Sequence, residues 1–154
     1  MSKIYTLYRE HVVKTDIDSA WDFIRSPRNL DAITPDDMPF EIVTELPDIM
    51  YNGLLIEYRI GIPFIGKQTW LTEIKHIRDH HSFVDEQRSG PYKLWYHYHE
   101  IHPYGKDVRF IDRVTYILPL GPLGPIVYYF YVKKQLQNIF DYRAKAISKL
   151  LEHK

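Results

Sequence analysis

The residues best suited to chemistry lie between Gln87 and Pro119, in the stretch QRSGPYKLWYHYHEIHPYGKDVRFIDRVTYILP. His97 and His99 stand two apart, and Asp112 and Tyr116 follow in the next run. An imidazole exchanges protons near neutral pH, a carboxylate beside it fixes its tautomer, and a phenol can donate to a developing oxyanion. In an extended chain, residues two apart share a face, so Trp95, His97, His99 and Ile101 point one way. A hairpin turning through Pro103-Tyr104-Gly105-Lys106 and centred on Tyr104-Gly105 sets His97 opposite Asp112, His99 opposite Phe110 and Trp95 opposite Val114. Phe110, Asp112, Val114 and Tyr116 then line the same face. One sheet face therefore mixes bulky apolar groups with imidazoles, a carboxylate and a phenol. A lined pocket needs such a mixture, and a plain core does not.

Three readings of these polar groups stay open. His97 and Asp112 can form a structural hydrogen-bonded pair that satisfies two buried polar groups. The same pair can face a ligand, as acid and base or as a hydrogen-bond partner. His97 and His99 can ligate a metal with Asp85 or Asp112 as a third donor. Alternate residues on one strand need that third donor from another element, and the sequence does not show one, so no metal and no cofactor is assigned. Asp36-Asp37, His80-His81 and His102 fall in predicted turns or loops and read as solvated surface.

The elements that must position this face can be read in order. Tyr5 to Lys14 is rich in β-branched and aromatic residues and predicts a first strand. Asp16 and Asp18 offer N-cap chemistry to a short helix carrying Ala20, Trp21, Phe23 and Ile24. A second short helical piece, Asn29 to Ile33, ends before Thr34-Pro35. From Phe40 the pattern changes to period two. Phe40, Ile42, Thr44 and Leu46 alternate with Glu41, Val43 and Glu45, and the runs at Leu54 to Ile62 and Lys67 to His76 behave alike. Turn signals at Pro47-Asp48, Asn52-Gly53, Pro63, Gly66 and Asp79 separate them. Phe83, Asp85 and Gln87 continue the inner face if a two-residue turn lies near Asp79-His80, and Gly90-Pro91 is a place for a bulge. After Pro119 the connector Leu120 to Pro125 predicts a proline-set corner, with a hinge as the alternative. Phe130, Leu136, Ile139, Phe140, Ile147, Leu150 and Leu151 then recur at helical spacing to the C-terminus.

Composition narrows the function classes. With 154 residues, 45% of them hydrophobic and 26% charged, the chain predicts one globular domain spanning 1–154. Lys and Arg total 20 and Asp and Glu total 20, so no net charge argues for a nucleic-acid partner. Cysteine is absent, which removes disulfides and thiolate metal sites and fits a cytoplasmic protein. Residues 114 to 132 carry no charge, but Pro119, Gly121, Pro122, Gly124 and Pro125 interrupt them, so no transmembrane segment is predicted. No GxGxxG, P-loop, GxSxG or HExxH pattern occurs, which leaves dinucleotide binding and the common hydrolase mechanisms without support.

The fold class predicted is α+β. A curved antiparallel sheet of six to seven strands carries two short helices after the first strand, and one long C-terminal helix lies across its concave face. This order resembles the helix-grip fold of the START-like or SRPBCC superfamily, and in particular its bacterial cyclase/dehydrase-like branch. The resemblance rests on Ser19-Ala20-Trp21-Asp22-Phe23, Ile33-Thr34-Pro35, Gln87-x-x-Gly90-Pro91 and Trp95-x-His97-x-His99. It continues in Asp112-x-Val114-x-Tyr116-x-Leu118-Pro119 and Leu120-Gly121-x-Leu123-Gly124. Where the family often has Phe after the second His, this chain has Glu100-Ile101.

The resemblance implies a hydrophobic ligand pocket between sheet and C-terminal helix, and no particular reaction. Inward parity and the helical stripe assign Tyr58, Trp70, Gln87, Trp95, His97, His99, Asp112, Tyr116, Phe130 and Phe140 to its lining. The expected partner is a small apolar or amphipathic molecule, and a homodimer is allowed. The alternative is a cyclase or dehydratase in which His97 and Asp112 move a proton and Tyr116 steadies an oxyanion.

Overall fold

The computed structural model describes residues 2–62 and 65–152. The turn signal at Pro63 lies outside them. Seven strands form one antiparallel sheet in the order β1-β7-β6-β5-β4-β3-β2. They are β1 (Ile4–Val13), β2 (Phe40–Ile42), β3 (Leu54–Ile62), β4 (Gly66–Arg78), β5 (Ser82–Ser89), β6 (Leu94–Tyr104) and β7 (Asp107–Ile117). Helix α1 (Ile17–Ile24) follows β1, with the Asp16 carboxylate accepting the Ser19 backbone N–H at 2.9 Å as its N-cap. A 3-10 helix at Pro27–Ile33 comes next. The C-terminal helical run comprises α2 (Gly124–Val127), a π segment at Tyr128–Val132 and α3 (Lys133–Glu152).

The curved sheet and the C-terminal helix enclose two apolar clusters. One joins α1, through Trp21 and Phe23, to Ile56, Ile74, Ile101 and Phe110 of the sheet and to Ile147 and Leu151 of α3. The other joins Tyr5, Trp70, Trp95, Val114 and Tyr116 of the sheet to Leu136 and Phe140 of α3. Helix α3 thus contributes to both, which is how a single long helix grips the whole sheet.

Four local expectations change. The β6–β7 turn is centred on Gly105-Lys106, so His97 faces Val114, His99 faces Asp112 and Trp95 faces Tyr116. Gly105, at φ 62, occupies the first central position, where a two-residue turn needs positive φ. The shift is two residues, so every side chain keeps its face. Strand β2 ends at Ile42, short of Thr44 and Leu46. There the Thr44 hydroxyl accepts the Glu57 N–H at 2.8 Å, while the Val43 and Thr44 N–H groups both donate to the Glu57 carbonyl. This double use of one carbonyl takes the chain out of the ladder before Pro47.

The β4–β5 connection is a three-residue turn, Asp79 to His81, rather than a two-residue one. A bulge between Lys75 and Arg78 with His76 at φ 54 restores the inward direction of Phe83 and Asp85. A further register shift sets Leu71 against Ser89 and Thr72 against Gln87. His102 lies within β6 rather than in the turn.

Candidate functional site

Strands β5, β6 and β7 bring four ionisable side chains together on the inner face. Asp85 is directly opposite His97, and Asp112 is directly opposite His99. Diagonal neighbours also lie within reach of such side chains. His97 Nε2–H donates to Asp112 Oδ1 at 2.7 Å, and His97 Nδ1 lies 3.3 Å from Asp85 Oδ2. His99 Nε2 bonds to Asp85 Oδ2, and His99 Nδ1 lies 3.4 Å from Asp112 Oδ1. The two imidazoles stack with centroids 3.6 Å apart. Phe83 stacks on His99 at 4.3 Å, and Phe140 of α3 meets the His97 ring edge-on. Two rings are thus held between two carboxylates. His97 is 1% exposed.

Electrostatics follow from this arrangement. Burial opposes ionisation of Asp85, but the His97 and His99 imidazoles outweigh it and hold the carboxyl well below its usual range. Asp112 is held low in the same way, again against burial. For His99, burial disfavours the cation, yet bonds to Asp112 and Asp85 raise its pKa to about 9. At neutral pH the group therefore contains two carboxylates and a protonated His99. Asp85, His97 and His99 also place one donor atom each within 4.8 Å of one another, as a metal site would require. Strand β5 supplies the third donor, Asp85, which the sequence reading names beside Asp112 without an element to place it.

The group opens on a cavity of about 300 Å³ between sheet and helix. Of the predicted lining, Tyr58, Trp70, Trp95, His97, His99, Asp112 and Phe140 border it. Gln87 does not. Its side chain turns back to the backbone of Tyr92, donating to the carbonyl at 2.6 Å and accepting the N–H at 3.1 Å. Tyr92 borders the cavity, so Gln87 acts on it indirectly. Tyr116 does not border it either. It is buried among Tyr5, Tyr92 and Trp95, where burial pushes its phenol above the ordinary value. That placement takes the oxyanion role away from Tyr116.

Phe130 is 78% exposed and lies outside the cavity. Phe130 stands six residues before Leu136 and ten before Phe140, about 120° and 80° off their direction at 100° per residue, so even a regular helix turns it away, and Val127, Tyr131 and Val132 reach the cavity instead. The sequence reading missed Arg143, which lines the cavity from α3. It stands three residues after Phe140 and four before Ile147. A cation interrupting an apolar helical stripe was the available signal.

No family model matches the chain, and no curated protein matches it. Solved structures do. A Thermus thermophilus protein, TTHA0849, superposes with a TM-score of 0.74 at 15% identity, over 97% of this chain and 98% of that one. A START superfamily protein from Mycobacterium smegmatis gives 0.69 at 13% identity, over 96% and 97%. The chain has the START-like, helix-grip fold. Norcoclaurine synthase from Thalictrum flavum shares that START-like fold, with a TM-score of 0.70 and 17% identity over 99% and 89% of the two chains. Similarity at these identities concerns architecture, so the function must be argued from this chain's own site. Among the described residues, no helix of this START-like chain is long and apolar enough to cross a membrane.

Proposed function

We propose that the protein binds a small apolar or amphipathic molecule in the cavity between the sheet and the C-terminal helix. One observation carries this reading: a space of about 300 Å³ with a mostly apolar wall into which the His97–His99–Asp85–Asp112 quartet is set. That volume is at the small end of ordinary ligand sites, and an apolar wall with a few convergent polar groups is their usual make-up. The apolar wall supplies affinity and the quartet supplies orientation. Phenylnaphthylamine, a neutral apolar fluorophore, tests the reading by its emission on titration, with native mass spectrometry of the purified protein to identify what it carries. Absence of binding by this probe, together with a bare protein mass, would refute it.

A second reading has a specific basis. The His97–Asp112 bond lies beside the cavity, and the imidazole can exchange a proton with a bound molecule while the carboxylate orients it. In that case the protein is an enzyme of the cyclase or dehydratase type, without Tyr116 in its machinery. Turnover of a bound ligand that Asp112→Asn abolishes while binding persists would select this reading over simple carriage.

A further inference from the structure

The cavity contains hydrogen-bond donors that no described residue satisfies. Arg143 borders it from α3, and its Nε is buried with no acceptor among the described residues. No carboxylate among them pairs with its guanidinium, whose carbon stands 5.4 Å from the Phe140 ring centroid. On the facing sheet, Trp70 borders the cavity with a buried Nε1–H that also lacks an acceptor among the described residues. Tyr58 stacks on Trp70 at 5.7 Å and turns its phenol to the same space. Burial and then the Asp85 carboxylate keep that phenol protonated, so it remains a donor, and Arg143 is also close enough to act on it. A buried donor without an acceptor is costly, and a guanidinium is the side chain best matched to a carboxylate fork. The carboxylates already present do not fill this need. Asp85 and Asp112 are both engaged by the two imidazoles.

We propose that the cavity selects molecules with an anionic oxygen head, bound by Arg143 with Trp70 and Tyr58 as neighbouring donors, and an apolar body lying along the aromatic wall. The proposal rests on the binding reading above and adds the head group to it. The chemical class is a compact amphipathic carboxylate. Its body is either alkyl or aromatic.

Matched pairs of probes that differ only in the head test it: decanoate against decanol, and naphthoate against naphthylmethanol. Each is titrated calorimetrically into the wild-type protein, R143Q and R143K, with thermal melts to confirm that the variants fold. In wild type the carboxylate of at least one pair binds about tenfold or more tightly than its alcohol, the gain of a charge-assisted fork over a neutral head. Whichever pair shows the tighter carboxylate identifies the body. R143Q weakens the carboxylate far more than the alcohol and closes the gap, and R143K retains part of it. Equal affinity for acid and alcohol in both pairs, or equal weakening of both by R143Q, overturns the head-group assignment. If phenylnaphthylamine binds in that event, the cavity reading survives alone. If neither it nor any member of the pairs binds, both fall together.

Discussion

At the scale of single residues, the quartet makes the stability of the protein depend on pH in a defined way. The folded-state pKa of His99, about 9, lies above its ordinary 6.5. Its contribution is therefore fully present below pH 6.5 and is lost as pH rises through 9. Asp85 and Asp112 are depressed from 3.8, so theirs is fully present above that value and is lost as pH falls towards their folded values. Thermal melts should show a plateau between these limits and a decline on each side. Asp112→Asn should bring the alkaline decline to lower pH, and an NMR titration of the His99 ring should show its pKa falling. A titration unchanged by Asp112→Asn would contradict the coupling. The same substitution should cost about 1.5–3 kcal/mol, the worth of a hydrogen bond to a charged group. Combined with His97→Gln, it should cost less than the sum of the single changes, because the two share one bond. The two phenylalanines of the helix give a sharper contrast. Phe140 is 4% exposed and Phe130 is 78% exposed. Phe140→Ala should lose about 3 kcal/mol in denaturant melts, and Phe130→Ser should stay within about 0.5 kcal/mol.

At the scale of elements, the β5–β6 connection sets one wall of the cavity through a single close approach. A Cβ on Gly90 would meet Gln87 Oε1 at 2.6 Å and its Cδ at 2.8 Å, and that amide clamps the Tyr92 backbone. Gly90→Ala should therefore displace the Gln87 side chain, with a loss of about 1–3 kcal/mol for the unsatisfied amide. Probe affinity should fall with it, because Tyr92 borders the cavity. Full affinity in Gly90→Ala would show that Tyr92 does not depend on the clamp. The π segment is a comparable device in the helix. It lets Tyr128 stack on Tyr5 at 3.9 Å while α3 keeps Leu136 and Phe140 on the sheet.

For the whole molecule, the same curvature that forms the sheet leaves room beneath the helix. The two apolar clusters meet α3 on either side of that space, so a ligand filling it would contact both. Binding to the folded state alone must stabilise it by mass action. A carboxylate probe present at 100 times its Kd should add about 2.7 kcal/mol. Its effect on the melting temperature should disappear in R143Q at the same concentration. A probe that binds at the surface would stabilise both proteins equally.

Periodicity was enough to read the strands, their inward faces and the amphipathic C-terminal helix, because side-chain direction alternates strictly in a strand and recurs every 3.6 residues in a helix. It even survived the misplaced β6–β7 turn, since a two-residue shift leaves Trp95, His97 and Asp112 on the same face. Three things were decided only by the tertiary structure. Asp85 joins the two histidines because β5 pairs with β6 and a bulge in β4 turns it inward, a long-range pairing that no local pattern encodes. Tyr128 rather than Tyr129 meets the sheet because the π segment changes the helical phase, and hydrogen bonding along the backbone sets that phase rather than the order of apolar residues. Gln87 and Tyr116 share the inward parity of the lining, but parity fixes a direction and not a depth. Tyr116 is flanked by its cross-strand partners Tyr5 and Trp95 and met edge-on by Tyr92, Gln87 is tied to the Tyr92 backbone, and neither borders the cavity.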